Sequence, residues 1–304
     1  MKPLRALLSL ITQNNDFQLE QAASGRVAAQ DLGIDLEIVY ADSDTITQST
    51  QLLRAIQADQ LLRPSAIIFE PVGGTGLPQV ARAASSAGIG WAVLNADPSY
   101  IGDLRSPGKA PMFTVTTDHK EIGRMQARQI AALLPRGGSI IYIQGPSETT
   151  AAKDSTLGFQ SLLPSNIQAT ILKGQWTEES AMRCVNSWLK LTASVKTRID
   201  VVAAQNDLMA IGARKVFSTL SNIEERERWM RVPYLGVDGL SKTGQAWVRE
   251  GLLTATVVVP AMAGQALRLM ASAIYGSKAV PERTLTVPES MPSIEKLSAI
   301  KLAS

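Results

Sequence analysis

The chain contains a single cysteine and a single histidine in 304 residues. Cys184 has no second cysteine with which to close an intrachain disulfide, and no Cys/His set recurs at zinc-ligand spacing. Nucleophilic catalysis of the Ser-His-Asp or Cys-His kind would have to recruit His119, which lies in Thr117-Asp118-His119-Lys120 at an expected helix start. A capping or surface role accounts for it there. Cys184, among Met182, Val185, Trp188 and Leu189, reads as a core thiol. Runs of one charge sign are also missing: 30 basic and 27 acidic residues leave a net +3, spread along the chain. The densest charged segment, Glu224-Glu225-Arg226-Glu227-Arg228, mixes both signs as a solvated helix end does. With no concentrated basic patch, nucleic acid is not expected as a partner. No stretch reaches the roughly 18 apolar residues of a membrane-crossing helix.

A hydrophobic content of 45% without low-complexity tracts specifies a globular chain, long enough for two domains. Residues 1–11 carry Lys2 and Arg5 before an apolar run, yet no small-residue cleavage site follows. The run ends in Thr12-Gln13-Asn14-Asn15 as a buried first strand would. The expectation is a periplasmic protein if a signal peptide was removed ahead of an added Met1, and a cytoplasmic one otherwise.

Short apolar runs alternate with helical periodicity throughout. Strands are predicted over 4–11, 36–40, 66–69, 91–94, 112–115, 139–143, 167–172, 201–203, 233–236 and 255–259. Helices are predicted over 18–32, 47–58, 78–87, 122–134, 178–191, 208–220 and 261–274. Such alternation implies parallel sheets covered on both faces, and about ten to twelve strands exceed one strongly twisted sheet, so the fold class is α/β with two doubly wound lobes. The first break in the pattern falls over 97–111, where Pro98, Gly102, Pro107, Gly108 and Pro111 cluster.

Ligands of open α/β sheets bind outside the carboxyl ends of the strands. Two apolar runs end there in polar turns, Ala204-Gln205-Asn206-Asp207 and Gly236-Val237-Asp238-Gly239, which makes Asn206 and Asp238 candidate ligand contacts. Helix capping by Asn206 or Asp207 and a plain turn at Asp238-Gly239 are the alternative explanations. Pro71-Val72-Gly73-Gly74-Thr75-Gly76 lacks the lysine of a phosphate loop and reads as a loop entering a helix. Nothing places Glu70 and Asp118 face to face as a glycosidase pair, and no catalytic residue is assigned.

The order and spacing of these segments, from Ser9-Leu10-Ile11-Thr12-Gln13-Asn14-Asn15 to the Pro281 region, resemble the type I periplasmic binding proteins, in particular their ribose-like sugar-binding branch. The same fold forms the effector core of LacI-type repressors. The resemblance implies two lobes joined by hinge strands with the ligand in the cleft, a first lobe of residues 1–117 and 260–281, and a second of 118–259 and 282–304. It also implies a monomer that closes on a sugar-like ligand and presents it to an ABC transporter permease or a sensor, with no cofactor, no metal and no enzymatic turnover. The alternative is a LacI-type regulatory module without its DNA-binding part.

Family ligand positions map onto particular residues. Asn14-Asn15-Asp16-Phe17-Gln18 supplies Asn15 and Phe17, with Gln18 where the family often has a second aromatic, although Asn14 to Asp16 could equally cap the first helix with Phe17 as its staple. Asn95-Ala96-Asp97 stands where many sugar binders carry Asp-Arg, against the alternative of a turn before Pro98. Lys153, after Gly145-Pro146-Ser147-Glu148-Thr149-Thr150-Ala151-Ala152, replaces an arginine and would offer a point charge without the fork, or simply face solvent. Trp176 falls at a second stacking position, with local packing as its alternative. Thr256-Val257-Val258-Val259-Pro260 replaces a hinge glutamine with apolar residues and favours a less hydroxylated ligand.

Overall fold

A computed structural model describes residues 4–74, 76–105, 110–191, 198–276 and 279–300. The chain divides into two compact units, Met1–Thr117 with Pro260–Thr286, and Asp118–Val259 with Val287–Ser304. Each is an α/β unit around one six-stranded sheet.

The first unit runs β1 (Arg5–Leu10), α1 (Asp16–Leu32), β2 (Asp35–Tyr40), α2 (Thr45–Gln57), β3 (Ala66–Phe69), α3 (Pro78–Ser86), β4 (Gly90–Leu94), α4 (Tyr100–Leu104) and β5 (Met112–Thr117). It is completed by α11 (Ala263–Gly276) and β11 (Arg283–Thr286), elements being numbered in chain order. Its strands lie in the order β11-β5-β4-β3-β1-β2, all parallel, with Leu8 opposite both Ile38 and Ile68. Alternation sends Leu8, Leu10 and Ile68 to one face, against Met262, Leu267 and Met270, and Leu7, Ile67 and Phe69 to the other, against Leu52, Ile56 and Val80. Both faces are therefore dry, which is why these strands read as continuous apolar runs. Helix α1 has few large apolar residues because it packs closely on α11: Gln21 Oε1 accepts from the N–H of Met262 (2.8 Å) and Ala263 (2.9 Å), capping that helix from the side.

The second unit runs α5 (His119–Leu133), β6 (Gly138–Gln144), α6 (Thr150–Leu162), β7 (Ile167–Lys173), α7 (Glu178–Leu189), β8 (Val201–Ala204), α8 (Asp207–Ser218), α9 (Ile223–Arg231), β9 (Tyr234–Asp238), α10 (Gly244–Arg249) and β10 (Ala255–Val258). The short β12 (Glu289–Met291) and α12 (Ile294–Ile300) follow. The order is β12-β10-β9-β8-β6-β7, parallel except for the antiparallel edge strand β12. Ile141, Ile143 and Val202 face α7 and α8, while Ile140, Tyr142 and Val201 face α5 and Phe159 of α6.

Three expectations change. The break over 97–111 is internal to the first unit: α4 forms within it, Tyr100 is buried beside Trp91 and donates to the Gly76 carbonyl, and Arg105 donates to Met112 O (2.6 Å) and Val280 O (2.8 Å). Pro107 and Gly108, like Thr75 of the glycine-rich loop and Met1, lie outside the described residues. Residues 282–286, expected in the second lobe, fall in the first unit, because β11 pairs with β5. The mixed-charge segment at Glu224 is the body of α9, a polar helix anchored by the buried Trp229, which stacks on Phe217. His119 opens α5 directly after its cap, Asp118. Cys184 is half-buried against the second unit's core, and burial pushes its thiol pKa up.

Candidate ligand-binding site

The polar groups at the carboxyl ends of the two sheets form two sets, one in each unit. In the first, β1 leads through a polar turn to Asn15, whose Oδ1 accepts from the N–H of Phe17 (2.9 Å) and Gln18 (3.3 Å). Asn15 is thus the cap of α1, and it presents a half-buried Phe17 beside it. Gln18 is buried: its Oε1 accepts from Ile11 N–H at 2.8 Å and its Nε2 donates to Glu70 Oε2 at 2.8 Å. Asn95 leaves β4 at φ +54° and donates Nδ2 to Glu70 Oε1 at 3.0 Å. Glu70, at the exit of β3, is 4% exposed, and burial raises its carboxyl pKa against the lowering effect of the two amides. Gln18 and Asn95 are therefore brought together by a carboxylate that the sequence did not single out for binding. Asp97 is held elsewhere, in an exposed pair with Arg283 at 3.1 Å. Asp118 caps α5 and pairs with Arg124, roles that account for it without Glu70.

In the second unit Asn206 caps α8, its Oδ1 accepting from Met209 N–H at 2.8 Å, while Nδ2 donates to the Trp176 carbonyl at 2.9 Å. Trp176 sits at φ +62°, and its ring lies directly over Gly145, where a Cβ would come within 2.4 Å of it. Glycine is required there by the ring's approach. Asp238 ends β9 at φ +99°, half-buried. Lys153 is exposed on the first turn of α6.

Two buried groups behind this set carry little signal in the sequence. Asp207 is fully buried, accepts from Thr256 Oγ1 (2.7 Å) and Gly239 N–H (2.8 Å), and has its pKa pushed up to about 7 by desolvation, those two bonds opposing. A Cβ at Gly236 or Gly244 would lie 2.0 Å from a carboxylate oxygen of Asp207, so both positions exclude larger residues. Gln205 takes an N–H from Gly145 (2.8 Å) and donates to Tyr142 Oη (3.0 Å), Thr156 Oγ1 (2.9 Å) and Ala152 O (3.1 Å). The only sequence sign of either was its place beside Asn206. These fully bonded groups hold the strand-end turns rigid while the side chains ahead of them offer both donors and acceptors. Among the described residues no cluster of three or more His, Cys, Asp or Glu could hold a metal ion, and no helix is long and apolar enough to cross a membrane.

The family model described as "Periplasmic binding protein domain" matches residues 6–278. A putative rhizopine-binding protein of Rhizobium meliloti is 29% identical over 186 residues, 60% of this chain and 56% of that protein. A xylitol-binding protein of Mycolicibacterium smegmatis is 29% identical over 214 residues, 68% of this chain and 54% of that one. The matched stretches span little more than half of these two relatives. Among solved structures, an ABC transporter periplasmic solute-binding protein from Actinobacillus succinogenes with bound D-allose superposes with a TM-score of 0.81 at 19% identity, covering 98% of this chain and 100% of that one.

Proposed function

The chain belongs to the periplasmic binding protein family, and from that premise we propose that it is a solute-binding protein that closes on a sugar or sugar-like small molecule. It delivers that ligand to an ABC transporter permease or to a sensor, acts in the periplasm, and binds without chemical turnover. The observation that carries this reading is the rigid pairing of Asn206 with the Trp176 turn. It fixes the turn that carries Trp176, whose indole in this reading meets the CH face of a sugar ring while the amide's remaining N–H and lone pair serve a hydroxyl. In this proposal Phe17, Asn95, Trp176, Asn206 and Asp238 touch ligand, Asn15 and Gln18 hold the first unit's turn, and Asp97 and Lys153 add charge at the margin. The D-allose-bound and xylitol-binding relatives support a polyhydroxylated ligand class.

The test is a thermal-shift screen of the purified protein against pentoses, hexoses, polyols, inositols and purine nucleosides. Ligand at about one hundred times its Kd adds roughly 2.7 kcal/mol to stability, which is readily seen as a rise in Tm. The expected result is a hit that disappears in both Asn206→Ala and Asp238→Ala. Silence across all these classes, in a protein that melts cooperatively, would sink the reading.

A further inference from the structure

Glu70 is a buried carboxylate with no cationic neighbour. Its two oxygens each take one N–H, from Gln18 Nε2 at 2.8 Å and Asn95 Nδ2 at 3.0 Å, and no Lys, Arg or His among the described residues pairs with it. Both partners are neutral amides, which satisfy geometry but leave the charge uncompensated. Burial accordingly pushes the carboxyl pKa upward. For folding alone, a neutral side chain at this strand exit would cost less. A second group beside it is also incomplete. With its Nδ2 committed to Glu70, the other end of the Asn95 amide, Oδ1, is buried with no hydrogen-bond partner. Asn95 itself is half-buried and held at φ +54°, which fixes where that oxygen lies.

The exit of β3 and β4 thus holds two buried acceptors, the anionic Glu70, whose two bonds come from neutral amides only, and Asn95 Oδ1, which has no donor at all. A hydroxyl brings one donor together with lone pairs of its own, so it answers one acceptor and leaves the charge standing. A protonated primary amine brings three donors, no acceptor and a positive charge. A metal ion would need several more oxygens than these, and no cluster of acidic and imidazole side chains is present among the described residues.

We propose that Glu70 and Asn95 Oδ1 form a recognition corner for a protonated amino group, so that the ligand class is an amino sugar or amino polyol. This rests on the solute-binding reading and sharpens it. The amine forms a charge-assisted bond to Glu70 and satisfies the Asn95 carbonyl, while neutral hydroxyls of the same ligand are left to the remaining strand-end groups.

The experiment pairs neutral ligands with their amino counterparts by calorimetry at one pH: glucose with glucosamine, galactose with galactosamine, sorbitol with 1-amino-1-deoxysorbitol, and myo-inositol with an aminocyclitol. Glucose, with a hydroxyl where glucosamine carries its ammonium, is the control of matching shape; N-acetylglucosamine removes the charge but adds the bulk of an acetyl group. The expected result is at least one amino member binding tenfold or more tighter than its neutral partner, with acetylation removing the advantage. In Glu70→Gln the amino-to-neutral affinity ratio falls toward one; should that variant fold poorly, the comparison of each amine with its hydroxyl counterpart on the native chain still decides. If ligands bind but no amino member binds tighter than its neutral counterpart, the amine corner is overturned and the solute-binding reading is left standing. No binding by any member, neutral or amino, overturns both.

Discussion

Asn206 ties Trp176 to the start of α8: one amide caps the helix at Met209 N–H and holds the tryptophan's own carbonyl at 2.9 Å. The tryptophan, at positive φ with its ring over Gly145, is thus anchored through its backbone by the residue that caps α8. Ligand affinity and local stability should be coupled at this pair.

Asn206→Ala removes both bonds and is expected to lower stability by about 1–2 kcal/mol, the usual loss of a helix cap, with a small further loss from the freed Trp176 turn. Asn206→Asp keeps the cap but cannot donate to the Trp176 carbonyl. Urea unfolding should find the aspartate variant closer to wild type than the alanine variant, while both lose ligand affinity. Equal unfolding midpoints for the two variants would show that the cap contributes nothing.

Gly145 decides where the Trp176 ring rests. Gly145→Ala puts a Cβ 2.4–2.6 Å from three ring atoms' positions and must displace the indole. We expect a shifted tryptophan emission spectrum and weaker ligand binding. The spectral change should vanish when the same substitution is made in a Trp176→Phe background.

The Asp207 carboxyl, with its pKa raised from 3.8 to about 7, makes stability pH-dependent in a definite direction. Between these values the folded state holds the proton more tightly than the unfolded chain, so stability falls as pH rises through the window. The full span corresponds to on the order of 4 kcal/mol at 1.36 kcal/mol per pKa unit. Asp207→Asn can still accept from Gly239 N–H and donate to the Thr256 hydroxyl, and it does not titrate. Unfolding free energies of wild type minus variant, measured from pH 4 to 7.5, should decline; a flat difference would mean that Asp207 is not buried as a strained carboxylate.

Gly123 and Gly158 let α5 and α6 meet backbone to backbone. A Cβ at Gly123 would stand 1.9 Å from Ser155 O, and one at Gly158 would stand 1.9 Å from Lys120 O. Either alanine substitution forces the helices apart and is expected to cost about 2–3 kcal/mol, at the upper end for overpacking. Gly251→Ala provides a contrast, since its Cβ meets nothing and only the φ of +73° resists it, for roughly 1 kcal/mol. Chemical denaturation of the three variants checks the order.

Taken alone, the sequence determined what depends on near neighbours. Apolar runs such as Ala66 to Phe69 are strands because both their faces are buried, and alternation with amphipathic helices makes those strands parallel. Capping at Asn15 and Asn206 is equally local, since the acceptor and the N–H it serves lie within three residues. Elements of low hydrophobicity escaped: the polar α9, held chiefly by Trp229 with Met230 beside it, and the short strands β11 and β12, which exist because a sheet edge is there to receive them. The candidate site was half legible for the same reason. Asn206 and Asp238 stand at strand exits that the pattern reveals, whereas Glu70 meets Gln18 and Asn95 only because β3 lies between β1 and β4. Asp207 meets Gly239 and Thr256 only because β8, β9 and β10 are neighbours in that order. Strand adjacency is a property of the packed sheet, set by which faces bury together, and it is there that solitary polar residues acquire partners, shifted acidities and a role.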